Sequence, residues 1–338
     1  MIDLLIAGGG PVGLATALYA HRAGLSVVVA EPRAGEIDKA CGEGLMPGAV
    51  RALTELGVEV DGVPFRGIRY LSGGRRAEAA FRNGHGIGVR RTTLHRALHG
   101  AVERSGIEIV ARPVDRVEQD AHRVCAAGVE ARYLAVADGL HSPVRRLLGL
   151  QAQRTGRARY GIRRHYQVRP WTEVVEVYWS RHCEAYVTPV AVGLVGVAIL
   201  TSRQAGFEDQ LRDFPELLAR LPASAATKAR GAGPLRQRST ARVQGRAMLV
   251  GDAAGYVDAL TGEGVSIGLA SAAELVRCVG ADDPQAYERR WRHATRRYRL
   301  MTHTLLWARD SSLVRPAIVP AAATLPWVFR AAVSSLAG

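Results

Sequence analysis

The sequence predicts an α/β protein: a Rossmann-type nucleotide-binding domain, an interleaved domain built on an antiparallel sheet, and C-terminal helices. Three features carry that expectation. The first is the opening unit. An apolar run over 3–7 leads into Gly8-Gly9-Gly10-Pro11-Val12-Gly13, an Ala/Leu-rich stretch over 14–23, and a β-branched run over 25–30 that ends at Glu31. The second is a pair of later apolar runs, 133–137 and 246–250, followed by the acids Asp138 and Asp252. The third is a middle stretch, 160–201, of consecutive strand-like runs with few helix signals.

The opening unit has a specific physics. Gly8 permits a tight turn off the strand, Gly10 lets a pyrophosphate approach the backbone, and Gly13 lets the helix pack close to the sheet. Free N–H groups at the helix start, together with the helix dipole, favour a phosphate there. Pro11 and Val12 complete the turn, Glu31 can accept hydrogen bonds from a ribose hydroxyl, and Arg33 lies just beyond it. A lone G-x-G-x-x-G says little; here the strand before, the helix after and the downstream acid supply the context of a dinucleotide site.

Further along, Pro47 suits the first turn of a helix over 48–56. Gly73-Gly74 joins 67–71 to 75–81 as a β-hairpin. Leu94, Leu98 and Val102 recur at helical spacing and predict a helix over 91–105. Strands are expected over 108–111, 114–119, 123–127 and 133–137. The runs 160–168, 173–180, 185–190 and 194–201 read as one antiparallel sheet, separate from the nucleotide-binding layer. Helices are expected over 207–221, 264–279 and 284–309, and the apolar chain from 313 onward is broken by Pro316, Pro320 and Pro326. The expected division is 1–64, 84–150 and 240–280 for the nucleotide-binding domain, 65–83 and 153–238 for the second domain, and 281–338 for the C-terminal helical segment.

Composition narrows the class. Four scattered cysteines, Cys41, Cys125, Cys183 and Cys278, form no C-x-x-C, so neither a metal site nor a disulfide framework is expected. No basic leader precedes the first apolar run, and no uncharged run reaches transmembrane length. A cytoplasmic protein is the expectation. The formal net charge is +14, carried by arginine; Lys39 and Lys228 are the only lysines. The densest arginines, between 289 and 299, surround a helix rather than line one groove, so nucleic-acid binding is not expected. They leave a peripheral contact with an anionic membrane surface, through the basic and apolar C-terminus, as a candidate.

Four motifs together resemble the glutathione-reductase-type FAD flavoproteins, in their para-hydroxybenzoate-hydroxylase-like branch. They are Gly8-x-Gly10-x-x-Gly13, Val89-Arg90-Arg91-Thr92-Thr93-Leu94, Asp138-Gly139-x-x-Ser142-x-Val144-Arg145 and Gly251-Asp252-Ala253-Ala254. The resemblance runs from Met1 to about Val279. It implies FAD as cofactor, and hence a FAD-binding domain beside a substrate domain. It implies Arg91 at the FAD phosphate region, Asp138 and Gly139 near the pyrophosphate and the nicotinamide donor's path, and Asp252 after Gly251 on the ribityl chain. The helix beginning near Gly262, Gly264 and Val265 would aim its N-terminus at the charge that reduced flavin carries near N1 and the C2 carbonyl.

The sequence also departs from that branch. Gly255 and Ala259 stand where the hydroxylases usually carry His and Pro. Lys39-Ala40-Cys41-Gly42-Glu43-Gly44 and Gly251-Asp252-Ala253-Ala254-Gly255 instead resemble the geranylgeranyl-reductase-related branch, of whose aromatic signature Tyr186-Val187-Thr188-Pro189 is a partial echo. The Trp-x-Trp-x-Ile-Pro signature of flavin halogenases is absent. The middle of the chain has no second glycine fingerprint, so NAD(P)H is expected as a transient electron donor without a Rossmann domain of its own.

Reduced FAD can support hydroxylation of an electron-rich ring with O2, or hydride delivery to a C=C bond; the protein supplies orientation, electrostatics and water exclusion. The expected function is a FAD-dependent monooxygenase using NAD(P)H and O2 on a small apolar phenolic or polyketide-type substrate. The alternative is a FAD-dependent reductase of C=C bonds in prenyl or polyketide chains; a non-enzymatic basic binding protein ranks third. Cys41 and Glu43 are the candidate catalytic residues. Cys41 and Gly42 either sit at the flavin, as the resemblance implies, or serve as small residues in a tight loop. Glu43 either orients substrate or accepts backbone N–H bonds. Tyr160, Tyr178 and Tyr186 in the middle sheet are candidate substrate contacts, of which alternation turns only some inward.

Overall fold

A computed structural model describes residues 1–153 and 156–336. The last two residues of the expected C-terminal segment, 337 and 338, lie outside the described residues.

The apolar run at the start forms the strand Ile2–Ala7, whose Leu4, Leu5 and Ile6 have no exposed surface. It pairs in parallel with Val27–Ala30 on one side and Val129–Val136 on the other. The eight-stranded sheet continues in parallel to Glu108–Val110 at one end and to Ala247–Leu249 towards the other. Strands wind outward from Ile2–Ala7 in both directions, so the order reverses there. In such open sheets ligands bind beyond the carboxyl ends of the strands at that point. Glu31, Asp138 and Asp252 lie one to three residues past three of those ends.

The helix Pro11–Arg22 begins with Pro11 at its first turn and buries Leu14, Ala15, Ala17 and Leu18 against the sheet and the helix Gly264–Gly280. Each fully buried leucine contributes on the order of 1.5–3 kcal/mol. Helix Arg91–Arg104 covers the same face through Leu94, Leu98 and Val102. The strand expected over 114–119 is shorter, Val117–Gln119, and joins Val124–Ala126 at the margin of this sheet.

The middle of the chain forms a separate seven-stranded sheet, and here two expectations are corrected. The sheet is mixed, not purely antiparallel: Val175–Trp179 pairs in parallel with Gly67–Ser72 and so recruits the early hairpin Gly67–Ser72/Arg75–Ala80. The hairpin turn is Gly73-Gly74, both at positive φ, as a two-residue loop matched to strand twist requires. The helix expected over 207–221 is broken into Phe207–Leu211 and Pro215–Leu218. Pro215 lacks an N–H, and its ring would strike the carbonyl of Leu211, four residues back.

Strand alternation gives this sheet two different faces. Cys183, Ala185, Val187, Val195, Val197 and Ile199 pack on Phe207, Leu211 and Phe214. The opposite face, with Val175, Val177, Tyr186, Ala198 and Leu200, turns towards the nucleotide-binding layer. The helices Ile318–Thr324 and Pro326–Leu336 pack on Arg75–Ala80, with the Phe329 ring 4.7 Å from that of Tyr70. A buried ion network fastens this end. Arg159 binds Glu184 at 2.8 Å and Asp258 at 2.9 Å, and Arg309, from helix Ala286–Asp310, binds the other Glu184 oxygen at 2.6 Å. Among the described residues no single helix is long and apolar enough to cross a membrane; the segments Arg315–Thr324 and Pro326–Ser335 pass that test only jointly and are bent by 103°.

Candidate active site

Between the two sheets lies a cavity of about 250 Å3, walled by loops from the nucleotide-binding layer on one side and by the mixed sheet on the other. The glycine turn forms one edge. Gly8 adopts φ +107°, and a Cβ on Gly13 would sit 1.9 Å from the Gly8 carbonyl oxygen. Helix and strand therefore meet backbone to backbone. Gly10 faces open space, with nothing within 4 Å of where a Cβ would be, and it lines the cavity with Pro11 and Val12.

Glu31 closes the turn from below. Its Oε2 accepts the Gly9 N–H at 2.8 Å, and Arg33 grips both oxygens, Nε to Oε1 at 2.7 Å and Nη2 to Oε2 at 2.8 Å. Burial pushes this carboxyl up, but the Arg33 pair and the Arg33 and Gly9 N–H groups outweigh it and hold Glu31 below its usual range. His95 is a residue that sequence reasoning missed. Its buried Nε2 lies 3.0 Å from the Gly9 carbonyl oxygen, and burial lowers its pKa, so the ring stays neutral and can donate there. Its place one helical turn after Arg91 was the available signal.

Arg91, Gly139, Asp252, Gly262, Gly264 and Val265 all line the cavity. Burial raises the Asp252 carboxyl, with Arg91, Lys39 and Arg145 pulling it back. Gly251, at φ +61°, packs behind it on Val12. Asp138 stands differently. Its Oδ2 accepts the Val144 N–H at 3.0 Å, its Oδ1 is buried without a partner among the described residues, and the carboxylate serves the start of helix Pro143–Leu147, not the cavity wall. Ser142 caps the same helix, accepting from the Arg145 N–H. Arg145, fully buried, donates to the Ala253 carbonyl at 2.9 Å and the Leu140 carbonyl at 3.0 Å, and so fixes the turn that carries Asp252. The helix Gly264–Gly280 presents its N-terminus at the cavity. Glu263, at its cap, has a buried Oε2 without a partner and is pushed up to about 8 by burial, against the pull of Arg297.

The loop around Cys41 forms the seam between the domains. Cys41 lines the cavity half-buried; burial pushes its thiol up, and its Sγ accepts the Glu43 N–H at 3.3 Å. Gly42 also lines the cavity, and its carbonyl accepts from Thr188 at 2.8 Å. Glu43 is buried at φ +59°, a strained conformation for a side-chain-bearing residue. One of its oxygens accepts the Arg91 N–H at 2.9 Å; the other lies 2.7 Å from Nε2 of fully buried His165. Arg163 extends the chain of contacts, with Nη1 at 3.1 Å from His165 Nδ1 and Nη2 at 2.5 Å from Asp38. From sequence His165 stands only among the middle-sheet side chains that could face the substrate, and Arg163 is not distinguished at all, because their partners are 122 and 125 residues away.

The three tyrosines separate. Tyr186 lines the cavity and donates to the Leu260 carbonyl at 2.9 Å. Tyr178 is corrected: it points to the far face, where its hydroxyl donates to Glu176 at 2.8 Å beside Phe214. Tyr160 pairs in register with Thr201, which pairs with Cys183 of that far face, and it is not among the cavity-lining residues.

The cradle fits FAD. It offers an open glycine turn at a helix N-terminus, an acid at the end of the second parallel strand, and a second helix N-terminus aimed into a cavity with an apolar far wall. Residues 1–282 match the family described as FAD binding domain, and the chain belongs to that family. It is a FAD-dependent oxidoreductase. Among curated proteins it is 31% identical to a menaquinone reductase of Mycobacterium tuberculosis over 320 residues, covering 81% of this chain and 76% of the relative. Its fold is similar to that of a flavoprotein/dehydrogenase from Cytophaga hutchinsonii (TM-score 0.86, 18% identity, 99% of this chain and 92% of the other). It is also similar in fold to p-nitrophenol 4-monooxygenase from Pseudomonas putida (TM-score 0.77, 20% identity, 99% and 98%).

Proposed function

We propose that this flavoprotein hydroxylates the ring of an apolar phenolic or polyketide-type substrate, taking electrons from NAD(P)H and oxygen from O2. In the net reaction one oxygen atom enters a ring C–H bond, the other leaves as water, and the donor is oxidised. FAD, when bound, supplies the redox chemistry. Gly10, Arg91, Asp252 and the Gly262–Gly264 turn are the residues that would hold it.

The observation that carries the reading is Glu43, which lines the cavity beside a largely apolar wall and is backed by buried His165. Ile68, Val175, Val177, Leu200 and Leu235 receive an apolar tail and exclude water. Glu43, which lines the cavity and is backed by His165 at 2.7 Å, can take the proton of a ring hydroxyl placed at the cavity edge. Loss of that proton makes the ring electron-rich, which is what oxygen transfer requires. The Arg91 N–H and the His165 ring over-determine the Glu43 carboxylate and so sustain its strained backbone and hold the pair in place.

A second reading is favoured by the curated relative: hydride delivery to an isoprenoid quinone or its side chain. Both readings share a substrate with a ring and an apolar tail. The deciding experiment follows NAD(P)H oxidation with and without O2 across alkylphenols, polyketide quinols and prenyl quinones. Matched consumption of O2 and NAD(P)H with hydroxylated product supports the first reading. Anaerobic turnover of a prenyl quinone with a saturated product overturns it in favour of the second.

A further inference from the structure

A second cavity, of about 430 Å3, lies behind the first, with Tyr256 lining both. Its wall carries Arg236, Arg238, Arg242, Arg292, Arg299 and His303 and, among the described residues, no Asp or Glu. We propose that it is a binding site for a phosphate oxyanion, distinct from the site that holds the FAD diphosphate.

The arginines are positioned, not merely numerous. Arg242 and Arg299 lie over the ring of Trp291, their guanidinium carbons 4.1 and 5.2 Å from its centroid. Glu288 holds Arg242 at 3.0 Å and Arg292 at 2.9 Å. Planar guanidinium forks fixed in this way match the oxygens of a phosphate in a manner an ammonium cannot. The neutral donors on the wall are spent elsewhere: Tyr298 on the Asp258 carbonyl, Thr295 on the Trp291 carbonyl, Ser239 on the Ala254 carbonyl. Charge therefore dominates what the cavity offers.

The like charges also strain one another. Burial, then Arg292 and Arg238, lower Arg299; burial, then Arg236, Arg299 and Arg238, lower His303. A multiply charged anion relieves that repulsion, and a neutral or cationic ligand does not.

The test uses FAD-loaded enzyme, so that the cofactor's own diphosphate site is filled. Inorganic pyrophosphate is titrated calorimetrically, and phosphatidylcholine vesicles with and without phosphatidylglycerol are tested by co-sedimentation. The R236Q/R299Q double variant is compared throughout, with R292E as a second variant should the first fail to retain flavin. The expected result is binding that weakens about tenfold or more in the variants and falls with added salt. Binding of pyrophosphate assigns a soluble phosphate; binding only to phosphatidylglycerol vesicles, lost in the variants, assigns a lipid headgroup. Failure of the wild-type holoenzyme to bind either probe, or equal binding by the variants, overturns the proposal.

Discussion

The two walls of the active-site cavity are built by opposite means. The nucleotide-facing wall is a set of strand ends and turns shaped largely by residues a few places apart, Gly8 with Gly13, Glu31 with Arg33, Ser142 with Arg145, with His95 and Arg145 as longer-range supports. The sheet-facing wall is held by partners far apart in the chain, such as Glu43 with His165 and Glu184 with Arg309. A cofactor used across a family can rest on local motifs. A substrate surface specific to one chain is set by sheet register and buried pairs.

The sharpest challenge to that contrast is Glu184→Ala. It leaves Arg159 and Arg309 buried beside a lost carboxylate, and removing one partner of a buried pair costs about 3–5 kcal/mol. Urea unfolding should show that loss. If most of the stability survives, the sheet-facing wall does not depend on its distant partners.

Gly13→Ala probes the opposite wall. Its new Cβ would meet backbone, not a movable side chain, so the cost should reach the upper end of about 1–3 kcal/mol for overpacking. The purified variant should be largely colourless, whereas Glu184→Ala, if folded, should keep flavin. Flavin content by absorbance separates them.

Glu43→Gln sits where the walls meet. It keeps the Arg91 N–H bond and removes the proton acceptor. We expect retained FAD and a kcat reduced about 10- to 100-fold on a phenolic substrate. An unchanged kcat would dismiss Glu43 from the chemistry.

Glu263 gives a smaller, pH-dependent effect. Its folded pKa of about 8 lies above the ordinary value of 4.5, so the native state holds the proton more tightly than the unfolded chain. Its stabilising contribution is complete below about pH 4.5 and is lost as pH rises through 8. Glu263→Gln should therefore become progressively more stable than the parent as pH rises from about 4.5 to about 8, and equal it in acid. Thermal unfolding across that window checks the sign. Smallest of all, Tyr178→Phe should cost about 1 kcal/mol through its lost bond to Glu176 and leave KM unmoved, whereas Tyr186→Phe should raise KM.

The same contrast explains what the sequence reveals. The glycine turn and the acids past the strand ends are visible because turn chemistry and hydrophobic period are local properties. The break at Pro215 was equally visible, since a proline inside a helical pattern predicts it. Tyr178 and Tyr186 could not be told apart, because period 2 gives alternation but not which phase faces the cavity. The parallel joint between Gly67–Ser72 and Val175–Trp179 spans about a hundred residues, and no local pattern announces it. His165 reads from sequence as one more histidine on a strand until Glu43 is brought to it.

The position of Tyr256 has an optical consequence. Tyr256 is shared by the linings of the chamber that would face the flavin and of the arginine-lined chamber. Whatever leans on that ring from behind presses on the cofactor's surroundings, so filling the rear chamber should register as a small shift in the yellow chromophore's spectrum before any substrate is added.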